Sequence, residues 1–133
     1  MSAVIDLQKA VVAHLSADLA LAELTGVYDG PPSRAAFPYA AIGDGPVTDW
    51  STKTELGREI RFAVTLWDDG EAPARLHRLT GAVEAAMGTL PRALDHSRII
   101  SLVFTRTLIA RDPTGPWAGL VEHRIRILQD QEI

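Results

Sequence analysis

The residues that could do chemistry are few. Four histidines, His14, His77, His96 and His123, are too far apart in sequence for a His-x-x-x-His or comparable ligand spacing, so no metal site is expected. His123 interrupts an otherwise apolar strand face, and neither a serine nor a carboxylate is tied to it by a catalytic spacing. It reads as a core or rim histidine with one backbone partner. Asp68, Asp69 and Glu71 form the tightest carboxylate cluster, but their pattern fits no calcium loop and reads as a solvated turn before a helix. Gly43-Asp-Gly45 lacks the Gly-Lys-Ser/Thr and the following helix of a phosphate loop. No catalytic residue, metal ligand or cofactor site emerges.

Two residue sets suit contact with another macromolecule. Arg61, Arg106, Arg124 and Arg126 share one sheet side if their strands pair, where Glu59 and Glu122 interrupt the basic run and Phe62 points the other way. Pairing with carboxylates within or between subunits fits this better than a nucleic-acid surface, which interleaves cations with aromatic platforms. Trp50, Trp67 and Trp117 fall at strand ends or loops, where such rings either pack on their own domain or anchor a protein contact.

The elements that must position these groups follow from periodicity. Val4, Leu7, Val11 and Leu15 predict an amphipathic helix over residues 3–15. Ser16 is placed to cap a short second helix, and Gly26 to stop it in a left-handed conformation. The turn-rich stretch from Val27 to Pro38 leaves room only for a brief strand at Val27 and Tyr28. Tyr39–Ile42 predicts a short strand closed by Gly43-Asp-Gly-Pro46. Ile60, Phe62, Val64 and Leu66 alternate with Glu59, Arg61, Ala63 and Thr65, a strand with one buried face. The intervening Val47–Gly57, with Trp50, Ser51, Thr52, Lys53 and Thr54, is too long for a tight hairpin and reads as an arm or flap.

After the acidic turn, Pro73 opens a helix with the stripe Leu76, Leu79, Val83, Ala86 and Met87, ended by Gly88. Ile99–Ile109 and Gly119–Leu128 predict two further strands joined by the turn Arg111-Asp-Pro-Thr-Gly-Pro116. The expected fold is α+β, a single antiparallel sheet with helices on one face, in the order α-β-β-α-β-β over one domain, residues 1–133.

At 133 residues, 47% hydrophobic and 23% charged, the chain has the composition of a globular domain. It has no cysteine, which excludes disulfides and thiol chemistry, and its net charge of −4 argues against a protein that coats nucleic acid or an anionic membrane. No stretch approaches the roughly 20 apolar residues of a membrane span, and Asp6 follows the start too closely for a signal peptide. Synthesis in the cytosol is expected.

Tyr28-Asp-Gly-Pro31, Phe37-Pro-Tyr39 leading into Ile42-Gly-Asp44, Asp49-Trp-Ser-Thr-Lys-Thr54, Gly57, the strand end Leu66-Trp67 and a helix after Gly70 occur in an order that resembles the small tail-completion, or tail-terminator, proteins of long-tailed phages, prophages and gene transfer agents. The resemblance spans nearly the whole chain; the loop from Gly30 to Phe37, short and Ala-rich, departs from it. It implies a ring, typically hexameric, at the head-proximal end of a tail tube. Such a ring stops tube polymerisation, docks a head-completion protein and lets DNA pass, with no catalytic residues and no membrane partner. The particle would be assembled in the bacterial cytoplasm.

On that basis Trp50, Ser51, Thr52, Lys53, Thr54, Arg124 and Arg126 are expected at partner or intersubunit contacts. Asp68, Asp69 and Glu71 are expected at the lumen or an exposed rim, because a strongly cationic channel would hold DNA back. The alternative is a monomeric nucleic-acid or small-ligand binding domain on a helix-backed sheet.

Overall fold

The computed structural model describes residues 2–111, 113 and 115–131. In chain order it contains helix α1 (Ala3–Ser16), a 3-10 turn (Leu19–Leu21), strands β1 (Val27–Asp29), β2 (Tyr39–Asp49) and β3 (Gly57–Asp68), helix α2 (Ala74–Gly88), and strands β4 (Ser97–Arg111) and β5 (Trp117–Gln129). The strands form one sheet in the order β1-β2-β3-β5-β4.

The α+β class is as the sequence predicts, with one correction to the sheet. β1 is a fifth strand and runs parallel to β2, Val27 opposite Ala40 and Asp29 opposite Ile42, so the sheet is mixed rather than wholly antiparallel. The Pro-rich segment after β1 carries the chain back across instead of turning it into a hairpin. Gly30, at φ 86°, begins that departure in the left-handed region where a Cβ is strained. Gly26 is not left-handed, and the cap of the 3-10 turn is Asp18, whose Oδ1 accepts from Ala20 N at 2.8 Å, while Ser16 ends α1.

The alternation read in β3 is realised fully. Ile60, Phe62, Val64 and Leu66 are buried, and the antiparallel register with β5 puts Val121, His123, Ile125 and Ile127 beside them on the same face. Leu7, Val11 and Leu15 of α1 and Leu76, Leu79, Val83 and Met87 of α2 cover that face, whereas Val4 is only partly buried. α2 approaches β5 closely at Gly119, where a Cβ would stand 2.7 Å from Thr80 Cγ2. His14 Nε2 donates to the Ala86 carbonyl at 2.9 Å, fastening α1 to the end of α2. The buried Asp6 accepts from His96 N and Ser97 Oγ at 2.8 and 2.7 Å, fixing the approach to β4.

Two boundaries differ from the sequence reading. β2 does not stop at Gly43; it passes through a bulge between Asp44 and Val47 and continues to Asp49 against Arg58. The supposed arm from Val47 to Gly57 is therefore mostly strand, and only residues 50–56 form the hairpin loop. That loop is closed by its own bonds, Trp50 N to Gly57 O at 2.9 Å, Thr52 N to Glu55 O at 2.9 Å and Gly57 N to Ser51 Oγ at 3.0 Å. Leu56 O also accepts from Gln129 N at 2.8 Å, so it is a fixed corner of the sheet rather than a flap. The turn read between Arg111 and Pro116 includes positions 112 and 114, which lie outside the described residues.

Candidate interaction surface

The sheet face turned away from the helices is uncovered. The β3–β5 register places Arg61 directly opposite Arg124 and Glu59 opposite Arg126, and the β4–β5 register places Arg106 opposite Glu122. All four arginines singled out in the sequence thus share one face. Arg126 Nε donates to Glu59 Oε1 at 2.9 Å, Arg124 Nε stands 3.9 Å from the same oxygen, and Arg106 lies 3.5 Å from Glu122. The bond from Arg126, assisted by the charges of Arg126, Arg124 and Arg61, holds the Glu59 carboxyl below its ordinary value against the opposing effect of burial.

The Arg126 guanidinium also lies over the Trp50 ring, 5.4 Å from its centroid. This joins the loop residues and the strand arginines into one continuous patch, with Ser51 half-buried and Thr52, Lys53 and Thr54 exposed at its border. The other tryptophans pack on their own chain. Trp67 stacks on Tyr39 at 5.1 Å, and Arg111 stands 5.2 Å above Trp117. The sequence points to pairing of these arginines with carboxylates, but only the cross-strand register shows that Glu59 serves both Arg126 and Arg124.

The acidic turn lies at the opposite end of β3, about 30 Å from Glu59 at a strand's rise per residue. Asp68 is not solvated there. It is buried, receives Arg75 Nε on Oδ2 at 2.9 Å and a second Arg75 nitrogen on Oδ1, and accepts from Gly70 N at 3.2 Å. Only Asp69 and Glu71 are exposed and able to face a lumen. The Arg75 bond, ahead of that from Gly70, holds the Asp68 carboxyl below its ordinary 3.8. The folded state therefore favours the charged form. Its stabilisation is complete above the unfolded value and is lost as pH falls through the lower folded one. Asp68→Asn is expected to flatten the acid limb of a plot of Tm against pH below about pH 4. An acid limb identical to that of the parent protein would remove Asp68 from this role.

His123 is buried edge-on to Phe104 at 5.7 Å, and among the described residues its Nδ1 has no hydrogen-bond partner. Burial pushes its pKa down, favouring the neutral ring. Among the described residues no three His, Asp or Glu side chains gather to hold a metal ion. A recess of about 450 Å³ between α1 and residues 91–95 is lined largely by Ala10, Ala13, Ala17, Pro91 and Leu94 and is crossed by the Lys9–Asp95 ion pair at 3.1 Å. It brings no nucleophile beside a base.

The second distinctive surface is the outer edge of β4. Every residue from Val103 to Leu108 is exposed, including Phe104 at 41% and Leu108 at 54%, because this half of the strand extends beyond the helices. A long apolar edge with unpaired backbone groups is a template for association.

The sequence model of the tail completion protein gp17 family matches residues 9–128. The chain belongs to this family. Its role is accordingly structural, in the tail of a phage-like particle. Among solved structures it is similar to a chain in the virion of a native gene transfer agent particle, with 30% identity, a TM-score of 0.85, and coverage of 96% of this chain and 98% of that one. It is also similar to the gp17 protein of bacteriophage SPP1, with 23% identity, a TM-score of 0.58, and coverage of 91% and 88%, a likeness of fold. No curated protein matches the sequence. No helix among the described residues of this tail completion protein is long and apolar enough to cross a membrane.

Proposed function

We propose that this tail completion protein is a ring-forming tail terminator. Copies assemble into a ring, typically hexameric, at the head-proximal end of the tail tube, stop its polymerisation and join it to a head-completion protein. The observation that carries the reading is the likeness to the gene transfer agent virion chain over almost the full length of both. The surfaces suit it physically. A ring requires two different complementary patches on each subunit, and the outer backbone edge of β4 and the Trp50–Arg126 face, which adjoin along β4 and β5, differ in chemistry.

DNA meets the ring only in transit. Asp69 and Glu71 are assigned to the lumen or rim, where they avoid the counterion-release affinity that a cationic lining would have for phosphates. The test is electron microscopy of particles made with and without the gene, together with light scattering of the purified chain. Rings or a density at the tail end, and tails of uncontrolled length or unjoined tails without the gene, are expected. Joined tails of normal length in the deletion would sink the reading. A monomer that binds duplex DNA at micromolar concentration near ~0.15 M salt, and loses it in Arg124→Ala/Arg126→Ala, would instead favour a nucleic-acid binding domain.

A further inference from the structure

We propose that Arg61 and Arg124 form a clamp that receives a carboxylate from a second copy of this chain; the proposal rests on the ring reading above. The two arginines lie directly opposite each other on adjacent antiparallel strands. Like charges in that position destabilise a sheet unless an anion lies between them. Both carboxylates of the face are already engaged, Glu59 by Arg126 Nε at 2.9 Å and Glu122 by Arg106 at 3.5 Å. Arg61 has no ion pair among the described residues, and Arg124 Nε, 3.9 Å from the Glu59 oxygen that Arg126 holds, is buried without a hydrogen-bond partner.

The backbone beside the pair is also unusual. The bulge of β2 falls between Asp44 and Val47, opposite Arg61, so Gly45 and Pro46 flank it. A Cβ on Gly45 would stand 3.3 Å from the Arg61 carbonyl oxygen. Bulges re-aim side chains, and here the irregularity adjoins the one cross-strand arginine pair of the face. Two guanidinium groups on neighbouring strands can each donate to the lone pairs of a single carboxylate.

Charge distribution identifies the donor as another copy. The four arginines and two glutamates named above sum to +2, on a chain whose total is −4, so the remainder carries −6. Asp29 and Glu84 are exposed away from this face and, among the described residues, have no ion partner. One copy can therefore offer acids to the arginines of the next in head-to-tail fashion, the arrangement that closes rings. Nucleic acid suits the face less well, since Trp50 is covered by Arg126 and Trp67 by Tyr39, leaving neither ring as a free stacking platform.

The test compares wild type, Arg61→Glu, Arg61→Ala and Arg61→Lys by thermal melting and sedimentation velocity. In Arg61→Glu the new carboxylate faces Arg124, so the isolated chain should melt roughly 2–4 °C higher. The same change should weaken self-association at least about tenfold, because the clamp now repels the incoming acid. Arg61→Ala should weaken association with a smaller rise in Tm than Arg61→Glu, and Arg61→Lys should retain most of the association.

The clamp is overturned if Arg61→Glu and Arg61→Ala assemble as wild type does. It is equally overturned if wild type is monomeric in solution and fails to cross-link to itself in particles. Salt-sensitive duplex DNA binding that disappears in Arg61→Ala would give the face to nucleic acid and overturn it too. Normal tails in the gene deletion would instead remove the terminator reading, whereas wild-type self-association undisturbed by these substitutions removes the clamp alone.

Discussion

Phe62→Ala lowers the unfolding free energy by about 3–5 kcal/mol, the usual cost of emptying a buried phenylalanine site. The residue is fully buried on the central strand β3, between the neighbouring strands and the helices. Its removal leaves a hole that rigid neighbours on several sides cannot fill. A domain with roughly 5–15 kcal/mol of stability loses a large part of it, and urea denaturation followed by circular dichroism measures the loss. Phe104→Ala provides the contrast. That ring stands opposite His123 near the outer edge with 41% of its surface exposed, and its loss should cost well under half as much. Equal losses in the two variants would mean that the buried face has been misassigned.

Trp50→Ala separates assembly from folding. The hairpin loop keeps its backbone closure to Gly57, so the isolated chain loses chiefly the stacking of Arg126 on the ring, about 0.5–1 kcal/mol. At a subunit or tube contact, a tryptophan anchor beside arginines has the residue types of an interface hot spot, where truncation weakens binding roughly 30-fold or more. Sedimentation velocity and the fraction of joined tails in complemented particles measure the effect. A variant that folds, associates and joins tails like the parent protein would place the contact elsewhere.

Most of the scaffold was legible because it is built from strong periodicities. The alternation Ile60-Phe62-Val64-Leu66 and the stripe Leu76-Leu79-Val83 each arise from an element with one buried face, and such elements record their burial in their residues. The parallel β1 was not legible in its pairing, since three residues hold no register information and the partner is chosen by where the loop returns. The extension of β2 was hidden by Gly45 and Pro46, which are turn formers in isolation but bulge residues when β3 lies alongside.

At the candidate surface, the arginine face was legible from alternation in β3 and β5. Its link to Trp50 was not, because it depends on a hairpin corner folding back over Arg126. The burial of Asp68 was equally hidden. Nothing local distinguishes the buried carboxylate that Arg75 holds from its exposed neighbour Asp69, since the difference lies in where the first turn of α2 places Arg75.

The strand order has a consequence for the chain while it is being made. β5 is the last strand to be synthesised, yet it occupies an inner position, with Leu128 opposite Gly57 and Trp117 opposite Asp68. Until Gln129 has left the ribosome, β3 can pair on one side only, and β4, whose only strand partner is β5, has none. The nascent chain therefore waits with its central strand half-satisfied, and the closing step joins segments far apart in sequence, the slow kind of contact in folding. Loss of the final strand would remove the middle of the sheet rather than trim its edge.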